Sequence, residues 1–216
     1  MTDCYCLFCH KSMTRQTGIK DMFYIDDVLC SECRGQLIVY KKEIVVNDIK
    51  IFSIYPYQGL FREMLLQYKQ LNDEALFPTF LYPFIKEFKK KYQGYTLVQI
   101  PSSLAAIDSR GFEHVKQMFS IIDMPCLDLF EKTSEQVQKN MPYEMRNIGN
   151  QFSLKADIYI KDRKILLVDD IVTSGNSMKM CYNLINGKCA KISCFSLGYN
   201  TRYLKKYDKI LLKLFF

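Results

Sequence analysis

The run Ile165-Leu166-Leu167-Val168-Asp169-Asp170-Ile171-Val172-Thr173-Ser174-Gly175-Asn176-Ser177 is an apolar stretch that ends on two adjacent carboxylates, then small hydroxyl residues and one glycine. Met178, Cys181, Tyr182 and Ile185 follow at helical spacing, and Gly187 stops the pattern. The order predicts a buried strand, an acidic pair, a hydroxyl-rich loop and a helix. A helix N-terminus offers unpaired N–H groups and a dipole that favours anions. Gly175 lets the main chain approach an anion closely, and Thr173, Ser174 and Ser177 can donate hydroxyl bonds to phosphate oxygens. Asp169 and Asp170 would repel a phosphate. They suit the neutral diol of a ribose, whose hydroxyls donate to carboxylates. The plain alternative is a strand end with a capped helix, in which Asp170 and Ser177 satisfy only backbone groups. The density of acids, hydroxyls and glycine within 169–177 favours the phosphate reading.

A second signal lies at the N-terminus. Nine cysteines occur, at 4, 6, 9, 30, 33, 126, 181, 189 and 194. Cys6-x-x-Cys9 and Cys30-x-x-Cys33 have the spacing of a four-thiolate zinc site built from two knuckles. Disulfides are the competing reading. Residues Met1 to Cys9 show neither the basic start nor the apolar core of a secretory signal, so a reducing compartment and a metal are expected. Four thiolates close a tetrahedron, so the zinc is read as structural. Cys4 is a spare thiol that could replace a ligand but reads as a bystander, and His10 reads as an exposed loop residue. The other four cysteines read as small core residues.

At 216 residues, 49% hydrophobic and 25% charged, the chain can bury one substantial core plus a small appendage. No apolar stretch is long enough for a membrane span. The net charge of +7 favours anionic partners, against the plain reading of a lysine-rich solvated surface. The lysines in 86–91 look like the solvated face and end of a helix. Lys205, Lys206, Lys209 and Lys213 cluster near the C-terminus. Neither group has the aromatic interleaving of a convincing RNA surface.

Strands are predicted at 50–55, 96–100, 126–130, 164–168, 191–197 and 209–216. Helical spacing covers 60–71 and the stretch with Phe112, Val115, Phe119 and Ile122. The segment Ala105 to Gly111 reads as a loop of small and polar residues. Alternation of strands and helices implies an α/β domain with a mostly parallel sheet, its ligands beyond the carboxyl ends of the strands. The division expected is residues 1–45 as the zinc-binding module and 46–216 as the α/β domain.

Residues Val168 to Ser177 resemble the phosphoribosyl-pyrophosphate (PRPP) motif of the type I phosphoribosyltransferases. Other blocks narrow the likeness: the two CxxC pairs, Tyr57-x-Gly59 with Leu66-Gln67-Tyr68-Lys69, Ile100-Pro101 with Arg110-Gly111-Phe112, and Gln138 with Arg146-Asn147 and Phe152. In this order they resemble the ComF (ComFC-like) family of competence proteins along nearly the whole chain. The chain departs from the family pattern at Glu113, where relatives often carry Asn, and at Gln99-Ile100, where a proline is usual. Asn176 falls at a variable position.

The resemblance implies a type I phosphoribosyltransferase-like fold, a mostly parallel twisted sheet flanked by helices, with a small N-terminal Cys4 zinc module of Cys6, Cys9, Cys30 and Cys33. It implies that Asp169 and Asp170 hold the ribose hydroxyls, and that Thr173, Ser174, Gly175, Asn176 and Ser177 cradle the 5′-phosphate. Mg²⁺ would accompany PRPP. Backbone groups at Ser102 and Ser103 suit the pyrophosphate, and Arg110 could close over the leaving group; a local surface pairing is the alternative for Arg110. Arg146 and Asn147 read as a structural brace. The family also implies a cytoplasmic role in handling incoming single-stranded DNA with a helicase-type partner. Three classes stay open: a phosphoribosyltransferase whose acceptor is unreadable, a PRPP- or nucleotide-binding module serving DNA uptake without turnover, and a nucleic-acid-binding protein using the zinc module and basic surface.

Overall fold

The computed structural model describes residues 4–13, 28–102, 104–132, 152–156 and 158–203. Its strands are β1 (Lys42–Val46), β2 (Ile49–Pro56), β3 (Tyr95–Gln99), β4 (Phe130–Lys132), β5 (Phe152–Leu154), β6 (Lys164–Val172) and β7 (Lys191–Tyr199). Its helices are α1 (Ser31–Gln36), α2 (Gly59–Gln70), α3 (Ile85–Lys91), α4 (Leu104–Arg110), α5 (His114–Ser120) and α6 (Asn176–Ile185). Five strands form one sheet in the order β1-β2-β7-β6-β3, and β4 pairs with β5 separately. The β1–β2 hairpin is antiparallel, and the other pairs of the main sheet are parallel. The expected mostly parallel α/β architecture is therefore present.

The sequence of β6 explains its central place. Ile165, Leu166, Leu167 and Val168 are all buried, as a strand covered on both faces requires. Leu166 and Val168 join Phe195 and Leu197 against the side chains of α2, α3 and α5. Ile165 and Leu167 join Val98 and Cys194 on the other face, against Met178, Cys181 and Ile185 of α6. Gln99, at the end of β3, pairs with Val168, and Ile100 N–H continues the ladder by donating to Val168 O at 2.9 Å. Pro101 and Ser102 thus emerge beside Asp169 and Asp170, at the carboxyl edge of the parallel strands, where ligands of such sheets bind.

Beyond Asp170 the alternation slips. Ile171 packs with the first face, whereas Val172 packs with the second. Asp170 Oδ1 accepts Ile171 N–H at 2.8 Å, a local bond that accompanies the slip.

The structure corrects several local expectations. Of the strand expected at 126–130, only Cys126 bridges Leu97, and regular pairing starts at Phe130. One pair of bonds, Leu97 N to Pro125 O and Leu127 N to Leu97 O, lays this segment along β3. The expected loop from Ala105 to Gly111 is largely helix α4. Ala105 and Ala106 favour a helix, and Gly111, at φ 81°, ends it by donating to Ile107 O at 2.7 Å. Strand β1 was not anticipated, and it crosses the expected boundary at residue 45. The strand expected at 209–216 lies outside the described residues, as do Ser103, Gln138, Arg146, Asn147 and the C-terminal lysine cluster.

Gly198 of β7 supplies a stability test. A Cβ there would meet Phe61 Cε1 at 2.5 Å and Ile171 Cγ1 at 3.4 Å. Phe61 is buried and stacked on Tyr55 at 4.5 Å between centroids, so it has little room to retreat. Gly198→Ala is expected to cost about 1–3 kcal/mol by overpacking, read from the urea midpoint.

Candidate functional site

The strand–loop–helix junction forms as expected. β6 ends at Val172, Thr173 and Ser174 turn, and Gly175 stands at the N-cap of α6 in the left-handed conformation, with φ 73°. A Cβ at Gly175 would lie 2.4 Å from Val46 Cγ1, so the residue must be small as well as left-handed. Gly175 has no side chain to make a cap bond, and the first N–H of α6, that of Asn176, donates to Ser174 Oγ at 3.4 Å. Among the described residues no side chain accepts from the next two N–H groups of α6, those of Ser177 and Met178. Thr173, Ser174 and Asn176 are exposed, and Ser177 is half-buried.

The two acids occupy different surroundings. Asp170 is buried at 6% exposure. Its Oδ2 takes the Lys69 ammonium at 2.5 Å and faces His114 Nε2 at 3.3 Å. The imidazole is off hydrogen-bond alignment, because His114 Nε2 is a buried atom without a bonding partner. Burial would raise the Asp170 carboxyl, but His114 and Lys69 outweigh it and hold it well below the usual carboxylate range. Asp169 keeps some surface in solvent but sits deep among its neighbours. Burial, then the Asp170 charge, pushes its carboxyl well above the usual range. Its Oδ1 accepts Asp170 N–H at 2.9 Å. Within the pair the surroundings favour the anion at Asp170 and disfavour it at Asp169.

His114 continues the network. Burial, the larger influence, pushes its imidazole below the ordinary value, and Asp170 partly opposes that. Ser102 Oγ lies 3.5 Å from His114 Nδ1. A neutral ring accepting there keeps its proton on Nε2, toward Asp170. Arg110 is near enough for its charge to disfavour a second positive charge on His114. The Arg110 Nε and Nη2 atoms are buried without a hydrogen-bond partner among the described residues. Such donors are uncommon in folded proteins and suit an incoming anion.

The structure thus brings Asp169, Asp170, Ser102 and Arg110 to the same carboxyl edge as the loop from Thr173 to Ser177. It adds Lys69 and His114, which sequence reasoning did not select as site residues. Lys69 ended one quoted block and His114 followed another, yet neither spacing disclosed a contact. The two blocks meet through Tyr68, whose ring packs edge-on against Phe112 at 5.2 Å and whose hydroxyl lies 3.0 Å from His114 O.

At the N-terminus, the thiols of Cys6, Cys9, Cys30 and Cys33 all lie within 4.8 Å of one another. Cys9 Sγ and Cys30 Sγ are 3.7 Å apart, far beyond a disulfide bond. A tetrahedral zinc with Zn–S bonds of about 2.3 Å sets its sulfurs about 3.8 Å apart, so the four residues fit the metal. Each CxxC closes a tight turn: His10 N–H donates to Cys6 O at 2.9 Å, and Cys33 N–H reaches Cys30 Sγ at 3.5 Å. Burial opposes ionisation of Cys6, but the N–H groups of Cys9, Cys30 and Phe8 outweigh it and bring the thiol down to about 7. Burial pushes Cys33 up. Four crowded thiols cannot all ionise without a cation among them. Cys4 is exposed and outside this cluster.

The model of the phosphoribosyl transferase domain matches residues 88–215, more than half of the chain. Competence protein ComFC of Streptococcus pneumoniae is 27% identical, covering 89% of this chain and 98% of that protein. Competence protein ComFC of Bacillus subtilis is 21% identical, covering 89% of this chain and 93% of its own. An adenine phosphoribosyltransferase of Campylobacter jejuni is 25% identical over 73% of this chain and 84% of that one. No helix among the described residues is long and apolar enough to cross a membrane. The chain belongs to the phosphoribosyl transferase domain family and is homologous to the ComFC competence proteins.

Proposed function

We propose that this protein binds PRPP at the β6–α6 junction and acts in competence, in the uptake of single-stranded DNA during natural transformation. The observation that carries the ligand reading is the N-terminus of α6, entered through the left-handed, closely packed Gly175 and standing directly beyond two adjacent carboxylates. The competence role rests on the likeness to two ComFC proteins over nearly their whole length. The setting is cytoplasmic, with a helicase-type partner, as the ComF resemblance implies.

In this reading the N–H groups and hydroxyls from Thr173 to Ser177 take the 5′-phosphate. Asp169 and Asp170 orient the ribose hydroxyls, with Asp170 kept as an anion by Lys69. Arg110 and the backbone at Ser102 and Ser103 receive the pyrophosphate. Mg²⁺ would accompany the PRPP and would supply positive charge against the pyrophosphate. The cluster of Cys6, Cys9, Cys30 and Cys33 holds a structural zinc.

The likeness to adenine phosphoribosyltransferase supports a second reading, an active transferase of nucleotide metabolism. Pyrophosphate release from PRPP across a panel of bases separates the two. Base-dependent release establishes the transferase. PRPP binding with no release from any base leaves the binding protein.

A further inference from the structure

We propose that Asn47, at the tip of the β1–β2 hairpin, is a positioning residue that aims the N–H groups of the phosphate loop. The inference rests on the phosphate reading of that loop, and Asn47 lies outside the residues matched by the family model.

Two consecutive carbonyls of the loop are pinned from opposite directions in sequence. Asn47 Nδ2 spends one hydrogen on Ser174 O at 3.1 Å and the other on Asn176 Oδ1 at 3.0 Å. Thr173 O accepts from the Tyr203 hydroxyl at 2.6 Å and from the Arg202 guanidinium. In a planar trans peptide, the C=O of one residue and the N–H of the next point in opposite directions. Pinning Thr173 O and Ser174 O therefore fixes the N–H vectors of Ser174 and Gly175, and no described residue accepts from either.

The hairpin is built to deliver the amide. Asn47 and Asp48 both have positive φ, 49° and 61°, the geometry of a tight two-residue hairpin turn. Val46, beside them, is buried and fills the space where a Gly175 Cβ would stand. Loop and hairpin thus touch through a packed contact and two amide hydrogen bonds. Donors aimed before the ligand arrives save the ordering that binding would otherwise demand. The same bonds give Asn176 a reason to be asparagine here.

The test uses Asn47→Gly, because glycine keeps the left-handed turn and removes only the amide. Ribose 5-phosphate and inorganic pyrophosphate are titrated separately into the full chain, wild type and variant, by calorimetry. The expected result is about tenfold weaker ribose 5-phosphate binding, the size of one or two net hydrogen bonds, with pyrophosphate binding unchanged. The Gly175 amide resonance should also broaden in the free variant, reporting a loop that has lost its fixed conformation. Equal ribose 5-phosphate affinity in both proteins would overturn the proposal alone. Parallel weakening of both ligands would overturn it too, since that marks a general structural defect. Failure of the wild type to bind ribose 5-phosphate would overturn the phosphate reading and the proposal with it.

Discussion

Lys69→Met is expected to destabilise the protein by about 3–5 kcal/mol, the cost of leaving one partner of a buried ion pair uncompensated. Lys69 and Asp170 are 28% and 9% exposed in their side chains, so solvent screens this contact little. The neighbouring His114 replaces the lost charge only in part, because its burial favours the neutral ring. Adding Asp170→Asn to Lys69→Met should recover most of the loss, since the charge left without a partner is then gone. Urea unfolding of the wild type, the single variant and the double variant measures this. A single variant within about 1 kcal/mol of wild type, the range of a surface pair, would show that the pair is not buried in solution.

The pH dependence has a defined sign. Asp170 is held below its unfolded value, so its contribution is complete above about pH 4 and fades as pH falls further. His114 is also lowered, so folding favours its neutral form, and stability falls as pH drops below about 6.5. Asp169 is raised, and it opposes these trends by favouring the fold at lower pH. In Lys69→Met the Asp170 contribution should shrink, with His114 left to hold the carboxylate, so the gap to wild type narrows as pH falls below about 4.

The second large effect is metal removal. Structural zinc in such sites contributes roughly 10–16 kcal/mol of apparent binding free energy. Cys6, Leu29, Cys33 and Leu37 are buried in the same apolar cluster as Leu60, Phe61 and Leu65 of α2. Loss of the metal should therefore loosen the packing of α2 as well as the module. A strong chelator is expected to lower the melting temperature steeply, with recovery on adding zinc. Cys33→Ser should give protein that retains little zinc by elemental analysis. A freshly purified chain free of metal, with melting unmoved by chelator, would refute the assignment.

How much was legible in the sequence follows from the range of each interaction. The β6–α6 junction was readable because strand, acids, hydroxyls, glycine and helix are contiguous, and each local preference agrees with the next. The cysteine cluster was readable because thiolate chemistry fixes its own spacing. Lys69, His114 and Asn47 were not, because their contacts join distant parts of the chain: Lys69 to Asp170, His114 to the same oxygen, and Asn47 to Ser174. Nothing in a neighbouring residue signals such a partner. Helix α4 was misread for the opposite reason: Asp108 and Ser109 look like turn residues, whereas Ala105, Ala106 and the stop at Gly111 governed.

The central claim, that the β6–α6 junction is a PRPP site, is tested most directly by calorimetric titration of PRPP with Mg²⁺ into the wild type and into an Asp169→Asn/Asp170→Asn variant that still melts cooperatively. The account predicts one site per chain in the wild type and binding weakened by at least about tenfold in the variant, the loss of a few charge-assisted hydrogen bonds. No binding by the wild type, or equal binding by the two proteins, would contradict it.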